Sequence, residues 1–321
     1  LGFPESSGVN KAHFDWMLDR IAEAVDEAAG KLAPATLSAG MVRTGREGFF
    51  TDHRDPRVLR DELTVLKLDD AGSGATIATL VNWSNHPETL SDTNNHLSSD
   101  FPHYLREALE QGLSAVGEAP ALEALGGVAI YLQGTVGCLL TSLGAPVTGR
   151  DGTLHGASSY GKTEALGEQL AVKTHEALAQ AQTIADPRLA VRAKQFDLPV
   201  ENAAFRMVMT FGIFDRRPHG YDPTQPVTEQ NMPKVRTEIG LIELGPVSLY
   251  SLPGELAPEI AIGGYDGSRS LGLPLVDESN PNPPPLDEAP GHRQGQVGPQ
   301  PVADLDAFGR LAHLPLGAPV T

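Results

Sequence analysis

The run Thr76–Trp83 (TIATLVNW) constrains this chain more than any other feature, because an apolar, β-branched segment stops abruptly in NWSNHPETLSDTNNHLSSDF, residues 82–101. Its Ile, Thr, Leu and Val content favours extended backbone, and its length suits a single strand. Beyond it, Asn, Ser and Asp crowd a loop that Pro87 stiffens, and His86 sits at the point of delivery. Sites in α/β folds gather just past the carboxyl ends of strands. A neutral imidazole held on a stiff turn there is a natural metal ligand. The plainer role for an isolated histidine in that place is to cap a turn through its ring N–H. His96 lies nearby, and His103 falls on the surface of the helix that follows.

Other segments predict alternating helices and strands. Residues 13–31 set Phe14, Met17, Leu18, Ile21, Val25 and Ala28 on one helical stripe, with Asn10 as N-cap and Pro34 as stop. Leu63–Leu68 reads as a strand joined to Thr76–Trp83 through a hairpin loop at Asp70–Gly74. FPHYLREALEQ reads as a short helix capped by Asp100, and Gly127–Gln133 (GVAIYLQ) as a buried strand. A second long helix spans 160–184, with Leu166, Leu170, Val172 and Leu178 inward. Strand candidates follow at 189–198, 235–243 and 246–252, and from about Gly263 the chain becomes rich in Pro and Gly. The pattern predicts an α/β layered domain, a mixed sheet flanked by helices.

Composition removes several functions. The chain has 321 residues, enough for one large domain or two ordinary ones, and a net charge of −17. That charge argues against a nucleic-acid partner, since phosphate binding needs a concentrated cationic face. No run approaches the roughly 20 apolar residues of a membrane-spanning helix, so no integral membrane segment is expected. The chain opens at Leu1 and drops almost at once into a helix, so its start does not reveal localisation. The single cysteine, Cys138, excludes an internal disulfide and a cysteine zinc cage.

A second strand ends as the first does. In VSLYSLPGELAPEI, residues 247–260, an apolar run breaks at Pro-Gly and Glu255 follows at once. Such a carboxylate is ordinarily a solvated turn residue or a helix N-cap; two strand ends bearing an imidazole and a carboxylate raise the metal reading for both. Two motifs mislead. GASSYGKT, Gly156–Thr163, matches a phosphate loop letter for letter, but polar VTGRDGTLH precedes it where the mechanism needs a buried apolar strand. His175-Glu176 opens like a zincin helix yet lacks the second histidine. No G-x-S-x-G elbow occurs, so a serine hydrolase of the α/β-hydrolase type finds no support.

Taken in order, these segments resemble the catalytic domain of the neutral/alkaline non-lysosomal ceramidases. NWSNHPETLSDTNNHLSSDFPHYLRE resembles the family pattern N-F-A-x-H-P-T-S, then N, then S-x-D, then a helix. HFDWMLDRIAEAVDEAAGKLAPATLSAG is similar to the helix that precedes a strand pair there, and DELTVLKL to the strand that follows. YLQGTVGCLLTS stands where the family has Q-x-N-A-G-D-V-S-P-N, the helix from Tyr160 matches the r-x-x-G helix, and TEIGLIELGPVSLYSLPGE resembles the strand pair ending in P-G-E. Residues 10–265 run in the family's order. The resemblance implies a catalytic domain over 1–265, incomplete at its N-terminus, and a Pro/Gly-rich loop continuing it over 266–321.

The resemblance further implies one zinc ion, Zn2+, held by a His of an early H-T-H motif, the His of H-P, the Glu of P-G-E and a later Tyr. Carried over, the H-P histidine is His86 and the P-G-E glutamate is Glu255; the H-T-H motif and the late Tyr have no counterpart, and Tyr265 lies too close to Glu255 to substitute. Where the family places its reactive Ser and Asp, this chain has Leu140 and Cys138, leaving Thr141 as a substitute only if the loop shifts by one residue. Arg46 and Arg54 are candidates for substrate contact, and Asp100 for a residue supporting the metal ligands or capping its helix. The implied activity, expected of the full-length form and not of this stretch alone, is zinc-dependent hydrolysis of an N-acyl amide, a ceramide-like lipid, outside the cell or in the periplasm. A catalytically inactive member that binds a lipid or glycan is the alternative, favoured by Leu140 and Cys138. Nucleotide binding through Gly156–Thr163 ranks third.

Overall fold

In the computed structural model, residues 8–45, 47–52, 60–137, 140–214, 216 and 218–258 are described. Arg46, Arg54, Cys138, Tyr265 and the stretch 266–321 lie outside them. In chain order the elements are α1 (Lys11–Gly30), β1 (Ala35–Arg43), β2 (Thr51–Asp52), β3 (Glu62–Asp70), β4 (Thr76–Trp83), α2 (Phe101–Gln111), β5 (Val128–Gln133) and β6 (Leu140–Thr141). There follow β7 (Val147–Thr148), β8 (Leu154–His155), α3 (Tyr160–Ala179), β9 (Gln182–Thr183), β10 (Leu189–Pro199), α4 (Ala203–Thr210), β11 (Lys234–Leu244) and β12 (Val247–Ser251).

Backbone contacts divide these into two compact units. Among the described residues, one holds those of 8–33 and 188–253, the other those of 34–187 and 254–258. In the first unit, β10, β11 and β12 form an antiparallel meander whose longest pairing runs from Leu189 opposite Leu244 to Pro199 opposite Lys234. The helix α4 was not foreseen. It is eight residues long, and its main local signal is Asn202, whose carboxamide oxygen accepts from the N–H groups of Ala204 and Phe205. In α1, Asn10 caps as expected by accepting from the His13 N–H at 3.1 Å. The apolar stripe of α1 is uncovered among the described residues: no residue of the helix is buried, and Ile21 is 54% exposed.

The second unit is a mixed five-stranded sheet in the order β5-β4-β3-β1-β9, with α2 and α3 on it. Only β4 and β5 run parallel, and the Asp70–Gly74 hairpin joins β3 to β4. Apolar residues line up across the strands on the face toward the helices: Gly40 opposite Val65, Val65 opposite Val81, Val81 opposite Tyr131. Here α3 lies nearly against the backbone of β1. A Cβ on Gly40 would stand 2.1 Å from the Ala177 carbonyl oxygen, so only glycine fits. The two helices are equally close to each other, since a Cβ on Gly167 would meet the Leu105 nitrogen and the Phe101 oxygen at 2.8 Å. Trp83, fully buried, ends β4 at the centre of an aromatic cluster, with Phe49, Phe50 and Phe101 edge-on to it at ring distances of 5.7–6.0 Å.

The strand β5 differs from expectation. The run GVAIYLQ predicts a buried strand, but β5 is the edge of the sheet: Ala129 is buried whereas Val128 and Ile130 are exposed. A continuous apolar run is the signature of a strand covered on both sides, and among the described residues only one side of β5 is covered.

Candidate metal centre

Four segments of the second unit converge past the carboxyl end of β4. The ends of β4 and β5 are tied together first, with the Gly134 N–H donating to the Trp83 carbonyl at 2.8 Å and the Thr135 N–H to Ser84 Oγ at 3.0 Å. A Cβ on Gly134 would lie 2.3 Å from that Oγ, so the crossing needs glycine. The chain then leaves the sheet, and the His86 N–H donates to the Leu140 carbonyl at 3.1 Å while His86 pairs with Thr141 in a parallel bridge. The Glu88 N–H returns to the His86 carbonyl at 2.9 Å around Pro87, closing a tight turn. His86 is therefore held by its own backbone on both sides.

Asp100 anchors the next part of the loop. Its carboxylate accepts from Thr89 Oγ1 at 2.6 Å, the Leu90 N–H at 3.1 Å and, as N-cap of α2, the Phe101 N–H at 2.8 Å. These bonds hold a non-glycine backbone at φ 56°, ψ −149°, beside the region that glycine alone enters freely. A strained residue is tolerated only where its surroundings over-determine it, and here three donors do so.

The fourth segment brings Glu255. The Gly137 N–H donates to the Leu256 carbonyl at 3.0 Å, and a Cβ on Gly137 would stand 2.7 Å from Glu255 O, Leu256 C and Ala257 N. Residues 255–257 therefore lie directly on the loop that follows β5. This contact sets Glu255 Oε2 at 3.7 Å from His86 Nε2, with the two side chains 66% and 20% exposed. Two ligands of one tetrahedral zinc, each about 2.0–2.2 Å from it, stand roughly 3.3–3.6 Å apart. The observed pair is thus within a small side-chain rotation of sharing an ion, and imidazole with carboxylate is a donor set zinc accepts. Among the described residues no cluster of three or more His, Cys, Asp or Glu completes such a site. Two donors alone would bind zinc weakly and would leave its geometry open.

The other expected residues are placed as follows. Thr141 is buried, and its Oγ1 accepts a turn bond from the Leu143 N–H at 3.0 Å. Leu140 is fully buried. His103 is exposed beside Glu107 at 3.7 Å, and His96 closes a polar turn with Asn94. Asn85, immediately before His86, is fully buried with neither carboxamide atom bonded among the described residues.

Lys162, the lysine of the phosphate-loop match, is fully buried, and its Nζ donates to the Ser142 carbonyl at 2.8 Å. The segment before it is only the two-residue strand β8, paired with β7. The ammonium faces the protein interior rather than a phosphate cradle. The letters G-K-T suggest a phosphate ligand and the match to the r-x-x-G helix a plainer helical role; the spacing Lys162, Leu166, Leu170 puts Lys162 on the buried stripe of α3, and all three are fully buried.

At the level of sequence, no family model and no curated protein matches the chain. Solved structures do. The neutral ceramidase from Pseudomonas aeruginosa superposes with a TM-score of 0.56 over 78% of this chain and 45% of its own, at 16% identity. The fold is similar to that of a ceramidase. A ceramidase complexed with C2 gives the same TM-score at 14% identity, over 79% of this chain and 47% of its own. The chain spans less than half the length of these ceramidases. No helix among the described residues is long and apolar enough to cross a membrane.

Proposed function

We propose that this chain contributes His86 and Glu255 to the zinc centre of a secreted, ceramidase-like amide hydrolase acting on an N-acyl lipid. The approach of His86 Nε2 to within 3.7 Å of Glu255 Oε2 supports this reading most directly, because the two residues come from strand ends far apart in sequence. The ceramidase-like fold agrees with it. When bound, zinc supplies Lewis acidity that polarises an amide carbonyl and lowers the pKa of a water to about 7. His86 offers a ring nitrogen on a backbone fixed by the bond from its N–H to Leu140 O. Glu255 offers an anionic oxygen from an exposed position, where it remains free to adjust as a ligand enters. Asp100 keeps the loop beyond Pro87 from swinging, through Thr89 and Leu90. Arg46 and Arg54 are proposed to contact the substrate.

A second reading, a lipid- or glycan-binding module without catalysis, draws on the burial of Leu140 and Thr141 where the ceramidases have their reactive serine loop. One experiment separates the two. Zinc content and cleavage of a fluorescent N-acyl amide are measured for the wild type, His86→Ala and Glu255→Gln. The hydrolase reading expects zinc binding and cleavage to fall together in both variants. Cleavage that persists undiminished in His86→Ala removes the zinc mechanism, and zinc or lipid binding without cleavage in a wild-type protein that also carries the remaining zinc ligands selects the binding module.

A further inference from the structure

We propose that Lys162 is a positioning residue for the candidate centre, holding the His86 backbone in place through a buried polar chain that also includes Ser142, Thr89 and Asp100. Lys162, Ser142 and Thr89 are fully buried and Asp100 nearly so. Lys162 Nζ donates to Ser142 O at 2.8 Å, Ser142 Oγ shares a hydrogen bond with Thr89 Oγ1 at 3.2 Å, and Thr89 Oγ1 donates to Asp100 Oδ1 at 2.6 Å. The chain therefore has a cation at one end and an anion at the other, with two hydroxyls and a carbonyl between them.

An ammonium has three N–H donors and is expensive to bury. Lys162 nevertheless has one hydrogen-bond acceptor and no carboxylate within 4.0 Å among the described residues. Burial lowers its pKa, and the field of Asp100 opposes that shift only in part. A lysine serving packing alone would be better replaced by methionine. What the ammonium does instead is join α3 to Ser142, the residue just past β6. Ser142 follows Thr141, the bridge partner of His86, and Leu140 O accepts the His86 N–H. On the other side Asp100 grips Thr89 and Leu90, just past the Pro87 turn. His86 is thus clamped between two strands of chain whose far ends are Lys162 and Asp100.

The metal arm of the test rests on the zinc reading above; the spectroscopic arm does not. Lys162→Met keeps the volume and removes the charge. Thr89→Val cuts the same chain at its middle and serves if Lys162→Met fails to fold. Leu170→Ala, fully buried two turns further along α3, is the control for destabilisation alone. Zinc affinity, read by competition with a chelator, should fall about 10- to 100-fold in Lys162→Met, the range seen when partners of metal ligands are removed. It should stay within about threefold in Leu170→Ala. In the metal-free 321-residue chain, the His86 ring resonances should move in Lys162→Met and in Thr89→Val but hold in Leu170→Ala. Equal movement in all variants, or none in Lys162→Met and Thr89→Val, overturns the proposal. If the wild type takes no zinc, the zinc reading fails, and the ring resonances still decide the role of Lys162.

Discussion

Adding one methyl group at Gly137 tests how Glu255 reaches its place. The backbone of Gly137 does not have the positive φ that would itself demand glycine, so alanine is allowed there by conformation. In an open position the change would stabilise by about 0.4–1 kcal/mol through the unfolded chain. Here the new Cβ would stand 2.7 Å from three backbone atoms of residues 255–257. Restoring ordinary carbon contact near 3.5 Å requires a movement of about 0.8 Å. If residues 255–257 stay docked, overpacking costs about 1–3 kcal/mol. If they move away, the bond from Gly137 N–H to Leu256 O is lost, costing about 0.5–1.5 kcal/mol, and Glu255 leaves His86. Metal distances tolerate only about 0.2 Å, so the second response is the one zinc would register. Urea denaturation should therefore show a loss of about 0.5–3 kcal/mol, and chelator competition should show zinc affinity falling at least as far as in Glu255→Gln. A Gly137→Ala protein with wild-type zinc affinity and unchanged or higher stability would refute the docking of Glu255 through this contact.

Trp83→Ala should destabilise by about 3–5 kcal/mol in thermal or urea unfolding, since it empties the centre of the aromatic cluster; a loss under 1 kcal/mol would mean that the cluster is not the core of the sheet. Asp100→Ala should cost about 2–4 kcal/mol through the lost cap and the unpaired Leu90 N–H. Asp100→Gly should cost about 1 kcal/mol less, because glycine relieves the strained φ of 56°; equal losses would deny the strain. The buried Lys162 makes stability depend on alkaline pH. Its folded pKa lies below the ordinary 10.5, so between the two values the unfolded chain binds the extra proton, and stability rises with pH. Wild type measured against Lys162→Met should therefore gain as pH climbs toward about 10.5 and then level off; a flat difference would contradict burial of the charge.

Much of this was legible in the residues. Periodicity marked α3 and the hairpin of β3 and β4, and the break after Trp83 marked His86, because a strand running into Asn, Ser and Pro is a local event that local patterns record. Other features depend on what packs from a distance. The run GVAIYLQ reads as doubly covered, yet Val128 and Ile130 are exposed, because local pattern does not say how many faces find a neighbour. The α1 stripe has the same cause. The approach of Glu255 to His86 needs Gly137 to lack a side chain, and nothing in G-T-V-G announces that. Lys162 was obscured by its own neighbours: in G-K-T the letters suggest a phosphate, while the stripe it shares with Leu166 and Leu170 points inward.

Gly167 gives this architecture a lever. About two turns into α3, it lets the two helices touch backbone to backbone, and the N-terminal ends of those helices bear Asp100 and Lys162. A bulkier residue at that crossing would wedge the pair apart and separate two interior charges it never meets. Variants there should mimic lesions of the centre from a distance, so a screen for lost function would find this helix crossing alongside the ligands themselves.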